Sequence, residues 1–102
     1  MKITVPTLLL DKDRFLSNLE RMQQKARANQ IDFRPHMKTP QSNGVGDWLK
    51  AKGITKIAAS SLRMAAYYAK GGWEDITVAF PINVLEIDLL NTLANKIQLN
   101  IL

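Results

Sequence analysis

The sequence predicts an α/β fold built from parallel βα units, and three observations carry that prediction. Short apolar runs alternate with stretches of helical period. The run centres lie near 33, 57, 78 and 99, about 21 to 24 residues apart, which is the spacing of a strand-helix-strand crossover. Polar residues gather just after the runs, where parallel α/β folds place their functional groups. The chain has 102 residues, too few for a complete (β/α)8 barrel of roughly 200 or more. The last run reaches Leu102 with an apolar face still to cover. The expectation is therefore one partial domain over 1–102, the first half of a TIM-type barrel from a longer protein.

The elements follow in order. Thr7–Leu10 is an apolar lead-in after Pro6, either a strand or simply extended. Asp11 suits a helix N-cap and Asp13 a first turn. Phe15, Leu19, Met22 and Ala26 then make one apolar stripe, and Asn29 is a plausible stop. A first strand is expected over 31–34, ended by Pro35. Ser42 can cap a second helix that carries Val45, Trp48 and Leu49, with Gly53 closing it. A buried strand over 54–59 precedes Ser60-Ser61, which open a third helix with Met64, Ala65, Tyr68 and Ala69 on its apolar face. Gly71-Gly72 stop it. The β-branched run over 76–80 is a third strand ended by Pro81. Asn83 with Glu86 resembles a capping box for a fourth helix that buries Leu85, Leu89, Leu90 and Leu93. A fourth strand is expected over 97–102. The stretch Gly72-Trp73-Glu74-Asp75 reads as an ordinary connection.

Composition excludes several functions. Apolar residues are 46% and charged residues 23%, an ordinary globular mix. Cysteine is absent, which removes disulfides, Cys-ligated zinc and thiol catalysis. One histidine cannot build a multi-His metal site. The opening residues have no signal-peptide pattern and no run approaches the ~20 residues of a membrane span. A cytoplasmic location is expected. The formal charge is +5, but the charges are scattered and mixed, so a solvated surface explains them; no nucleic-acid or membrane partner is expected.

The candidate chemistry lies after the strands: Arg34, His36, Lys38 and Thr39 after the first, Ser60, Ser61 and Arg63 after the second, and Asn83 after the third. Lys38 matters most. At the end of a buried strand beside Arg34 and His36 it would be partly desolvated and in a cationic setting, and both effects favour the nucleophilic neutral amine. On spacing alone, a solvated loop lysine, one of nine in the chain, is the commoner reading. His36 is by the same measure a hydrogen-bonded loop residue, and Ser60-Ser61 a helix cap whose amides could hold a phosphate. Met64, Tyr67 and Tyr68 read as core or flank. Gly44-Val45-Gly46 lacks the third glycine of a dinucleotide fingerprint.

Taken together, Val5-Pro6-Thr7-Leu8-Leu9-Leu10-Asp11, the long amphipathic helix and Phe33-Arg34-Pro35-His36-Met37-Lys38-Thr39 resemble the N-terminal part of the D-threonine aldolase and D-serine dehydratase family. Its pattern is T-P-x-L-x-x-D followed by R-P-H-x-K-T-H-K. Ile57–Leu62 and Asp75–Pro81 resemble the family's second and third barrel strands. The chain departs from the pattern at Pro40-Gln41, where His-Lys is common. The resemblance implies an alanine-racemase-like, type III fold, in which the barrel is followed by a C-terminal β-domain. It implies pyridoxal 5′-phosphate as cofactor, with Lys38 forming the Schiff base and Arg34, His36 and Thr39 shaping the cofactor's surroundings. A divalent metal held by residues beyond this chain, a small D-amino-acid substrate and a full-length homodimer are implied as well.

The activity it implies is a lyase acting on D-3-hydroxy amino acids, first an aldolase, alternatively a D-serine dehydratase or a racemase of the same fold. The competing readings are a non-catalytic pyridoxal-phosphate carrier and a small basic α/β binding domain. The 102 residues alone are expected to be inactive.

Overall fold

The computed structural model describes residues 2–102; Met1, the first residue of the expected domain, lies outside the described residues. The chain divides into two compact units, Met1–Ile31 and Asp32–Leu102, where the sequence reading runs one partial domain through both.

In the first unit, helix α1 spans Lys12–Ala28. Asp11 caps it as expected, its side chain accepting from the Arg14 N–H at 2.9 Å. Its end is closed by Gln30 in the left-handed region at φ 55°, which lets the Ile31 N–H reach back to the Ala26 carbonyl. Leu19 and Ala26 of the expected stripe are buried, Phe15 is half-buried and Met22 is exposed. No strand forms over Thr7–Leu10, and Leu8, Leu9 and Leu10 are exposed.

The second unit holds the sheet. Its elements are α2 (Asn43–Ala51), β1 (Ile57–Ala59), α3 (Leu62–Lys70), β2 (Asp75–Val78), a 3-10 turn (Val84–Glu86), α4 (Ile87–Ala94) and β3 (Gln98–Asn100). The strands lie in the order β1-β2-β3 and both pairings are parallel, with Ala58 opposite Thr77 and Ile76 opposite Leu99. Parallel strands joined by helices bury both faces, and β1 is buried at every residue.

The expected first strand over 31–34 is not there. Pairing on the far side of β1 is instead concentrated at a single parallel bridge, His36 to Ala58. The Ala58 N–H donates to the Pro35 carbonyl at 2.9 Å and the Met37 N–H to the Ala58 carbonyl at 2.8 Å. Proline has no N–H to give a ladder, but its carbonyl still accepts, so the pairing begins at Pro35 and brackets His36 rather than ending before the proline. The other strands are shorter than expected. The Ile54 and Ile97 amides are taken by helix-end bonds to Leu49 and Leu93, which leaves them outside the ladder.

Ser42 and Ser61 cap as expected, accepting from the Val45 and Met64 amides, whereas Asn83 caps a 3-10 turn through the Leu85 amide and the expected capping box with Glu86 does not open α4, which has no side-chain cap. The fourth helix begins with a 3-10 turn, and of its expected buried side only Leu93 is fully covered; Leu85 is 88% exposed. Trp73, read as part of a plain connection, is a core residue at 2% exposure. Lys50 lies 5.2 Å from the centroid of its ring and also donates to the Gly71 carbonyl. Full burial of each large apolar side chain is worth ~1.5–3 kcal/mol. Ile57, Leu62, Ile76, Val78 and Met37 join Trp73 and Tyr68 in the core.

Candidate functional site at the carboxyl edge of the sheet

Parallel strands give the sheet one amino edge and one carboxyl edge. The segment 34–39 runs alongside β1 and spans both. His36 is level with Ala58. Arg34, two residues earlier, falls toward the amino edge, and Lys38, two residues later, toward the carboxyl edge. The structure therefore separates residues that the sequence reading grouped.

Arg34 is engaged at the amino edge. Its Nη1 donates to Asp75 Oδ1 at 2.8 Å and to the Ile57 carbonyl at 3.1 Å, with a longer bond to the Asp75 carbonyl at 3.4 Å. Asn100 Nδ2 reaches the same Asp75 oxygen from β3 at 3.1 Å. One guanidinium thus ties the Lys38 segment to the first residues of β1 and β2. This corrects the expectation that Arg34 stands with Lys38. Asp75, the other half of the tie, was missed. A carboxylate directly before a buried β-branched run, in register with an Arg-Pro, is the signal that could have found it.

At the carboxyl edge Lys38 and Thr39 are exposed, so the desolvation expected for Lys38 is absent. What the structure supplies instead is a firmly held backbone. The Lys38 N–H donates to His36 Nδ1 at 3.2 Å, and the Lys38 carbonyl accepts from Gln41 Nε2 at 3.0 Å. The Gln41 N–H returns to the Met37 carbonyl at 3.2 Å, closing a turn that puts Gln41 at φ 41°. Burial, and then the nearby Lys38 ammonium, hold His36 below its usual value near 6.5. A neutral imidazole that accepts at Nδ1 carries its proton on Nε2.

Two tyrosines of α3 fasten this turn. Tyr68 donates from its hydroxyl to the Met37 carbonyl at 3.2 Å and accepts from the Ser42 N–H at 3.1 Å. Tyr67 accepts from the Asn43 N–H at 3.0 Å, and the two rings meet edge to face at 5.0 Å. Burial pushes the Tyr68 phenol up; the Ser42 bond pulls the other way, and Tyr67 raises it further. The hydroxyl therefore keeps its proton and can donate. Beside the turn lies a cleft of about 380 Å³ lined by Gln41, Ser61, Arg63, Met64, Tyr67 and Tyr68. Lys38 and His36 are not among its lining residues.

Ser61 is used as a cap, and Ser60 Oγ lies 3.8 Å from Met64 Sδ. Asn83 caps the 3-10 turn. Among the described residues, no group of three His, Asp or Glu is placed to hold a metal ion. Among them too, no helix is long and apolar enough to cross a membrane.

The comparisons with known proteins agree with the resemblance read from the sequence. No protein-family profile matches the chain. A D-threo-3-hydroxyaspartate dehydratase of Delftia sp. (strain HT23) is 34% identical over 79 residues, which is 78% of this chain and 21% of the dehydratase. The solved structure of the dehydratase from Delftia sp. HT23 superimposes on 84% of this chain with a TM-score of 0.78 and 31% identity, covering 23% of its own length. An alanine-racemase-like protein from Idiomarina loihiensis matches 97% of this chain with a TM-score of 0.86 and 27% identity, covering 27% of its own length. The chain thus has the parallel α/β fold of these proteins and spans roughly a fifth to a quarter of each. It resembles a part of an alanine-racemase-like protein.

Proposed function

We propose that the chain supplies the first βα units of an alanine-racemase-like barrel in a pyridoxal-phosphate-dependent lyase, and that Lys38 is the lysine that binds the cofactor. The observation that carries this reading is the pairing of an exposed primary amine with a tightly bonded backbone, at the carboxyl edge of parallel strands. The amine is open to an incoming aldehyde, and the turn fixes where it starts from. The Arg-Pro-His-Met-Lys-Thr stretch and the 34% identity to a dehydratase support the same reading.

The residues present fit such a group in part. Lys38 supplies the covalent anchor. His36 stands against the Lys38 amide as a neutral imidazole, and Thr39 is exposed on the same turn. Arg34 does not belong to this set, because its guanidinium is committed to Asp75. When bound, pyridoxal phosphate holds a substrate amine and draws off the electron pair left at Cα.

The substrate class we propose is a D-3-hydroxy amino acid. Similarity to a dehydratase favours loss of water across Cα–Cβ over the aldol cleavage that the motif alone put first. Loss of the Cα proton and the β-hydroxyl, followed by hydrolysis, yields a 2-oxo acid and ammonia. Aldol cleavage would yield glycine and an aldehyde. We also propose that the 102 residues alone turn nothing over.

The test uses the full-length protein. Borohydride reduction of the pyridoxal-phosphate-loaded protein, followed by peptide mapping, should place the label on Lys38. Incubation with D-3-hydroxy amino acids should release 2-oxo acid and ammonia. Label confined to another lysine would refute the anchor, and aldehyde with glycine would replace the dehydratase by the aldolase.

A further inference from the structure

We infer that Tyr68 is a positioning residue for Lys38, acting as a buried clamp across both ends of the turn that carries it; the inference deepens the reading of Lys38 as the reactive amine and rests on it. Tyr68 has no solvent exposure. Its hydroxyl meets two backbone groups, the Met37 carbonyl at 3.2 Å and the Ser42 N–H at 3.1 Å. Those two groups bracket residues 38–41, so a single phenol spans the turn.

The Met37 carbonyl and the Lys38 N–H belong to one peptide group. Tyr68 and Gln41 hold its oxygen side, and His36 Nδ1 holds its nitrogen side. Gln41 Nε2 holds the next carbonyl, that of Lys38. Both peptide planes flanking the Lys38 Cα are thus fixed while the side chain stays exposed. An amine on four rotatable bonds must search for its partner, and a mobile backbone would multiply that search. Fixing the backbone confines the search to side-chain rotation.

The clamp is itself anchored. The ring of Tyr68 packs against Tyr67 edge to face at 5.0 Å and 73°, and Tyr67 accepts from the Asn43 N–H just beyond the turn. Helix α3 therefore serves as the rigid reference. The Ser42 N–H is the sensitive member: with Tyr68 changed to phenylalanine this half-buried amide loses its acceptor, and an amide left unpaired away from water costs more than a bond never made.

The experiment reads the turn directly in the full-length protein. Trypsin cuts after Lys38 only when residues around it leave their bonded geometry. In Tyr68→Phe, native-state cleavage at Lys38–Thr39 should rise roughly tenfold while cleavage at Lys70–Gly71 stays at the wild-type rate. The yield of borohydride-fixed pyridoxal phosphate on Lys38 should fall in parallel. Gln41→Gly supplies a variant that keeps the fold, since glycine accepts the positive φ that Gln41 adopts. It should loosen the same bond about threefold by losing the clip on the Lys38 carbonyl. Unchanged cleavage at Lys38 in Tyr68→Phe, or an equal rise at both sites, overturns the clamp. Selective loosening with wild-type label found on a different lysine upholds the clamp on the turn and removes only the assignment of Lys38 as the cofactor's anchor.

Discussion

The two edges of the sheet solve the same problem with opposite chemistry. At the amino edge, Arg34, Asp75 and Asn100 join three segments through an ion pair and charge-assisted bonds. Both charged side chains are mostly covered, and the guanidinium is taken up in the tie. At the carboxyl edge the bonds are neutral: Tyr68 to Met37, Ser42 to Tyr68, Lys38 to His36, Gln41 to Lys38. Neutral bonds fix the backbone and leave the Lys38 charge exposed. The difference teaches why one cation of the Arg-Pro-His-Met-Lys segment is structural and the other is available. A tie that employs a cation removes it from chemistry, whereas a tie made of amides and a phenol does not.

The largest expected effect follows from that availability. Lys38→Ala in the full-length protein should abolish turnover, by at least about 10³-fold in kcat, because covalent activation is lost rather than weakened. Its melting temperature should stay near wild type, since the side chain is exposed. A variant with normal kcat would break the comparison at its functional end.

The amino edge should show the reverse pattern. Asp75→Ala leaves the Arg34 guanidinium and the Asn100 amide without their shared acceptor. The expected cost is about 2–3 kcal/mol of stability, read by denaturant unfolding. Borohydride labelling of Lys38 should persist in whatever fraction remains folded. A loss below about 0.5 kcal/mol would reduce the tie to an ordinary surface pair.

A smaller effect lies between α2 and α3. A Cβ at Gly71 would be driven into the Asn43 side-chain amide, whose Oδ1 is already buried without a hydrogen-bond partner. Gly71→Ala should destabilise by about 1–2 kcal/mol. Combining it with Asn43→Ala should recover part of that loss, because the two changes share one clash. Strict additivity would show that the clash is relieved in some other way.

The smallest effect is in pH. His36 is held below its usual value near 6.5, first by burial and then by Lys38. The unfolded chain therefore takes up the proton before the folded one does. Stability should be unaffected by this group above its unfolded value, should fall as pH drops through 6.5 toward the lowered folded value, and should level off beneath it. The proton also removes the Nδ1 acceptor from the Lys38 amide. His36→Asn should flatten this part of the stability profile; an unaltered slope would assign it to other groups.

Much of the architecture was legible in the residues themselves. Caps at Asp11, Ser42, Ser61 and Asn83 were readable because a side chain bonding an amide two or three positions on is a local event. The parallel βα order was readable because period and spacing follow from chain geometry. The position of Lys38 just past a strand-like run was readable for the same reason.

Pairing and burial were not local. Whether 31–34 or 35–37 meets β1 depends on which carbonyls Ala58 finds, and the sequence of the segment holds no record of that. Arg34 and His36 look alike two residues apart, yet the distance between the edges sends one to Asp75 and the other to the Lys38 amide. Trp73 and Asp75 read as a loop because their partners lie about 20 to 40 positions away. Tyr68 read correctly as core, since its ring is apolar. Its role as a clamp came only when folding brought the Met37 carbonyl and the Ser42 amide to its hydroxyl. The sequence alone determined the helices, their caps and the alternation of strand with helix, through interactions within a turn or two of chain. The tertiary structure alone decided which polar groups tie the sheet and which hold the backbone of the Lys38 turn, because a long-range hydrogen bond is specified by both ends at once.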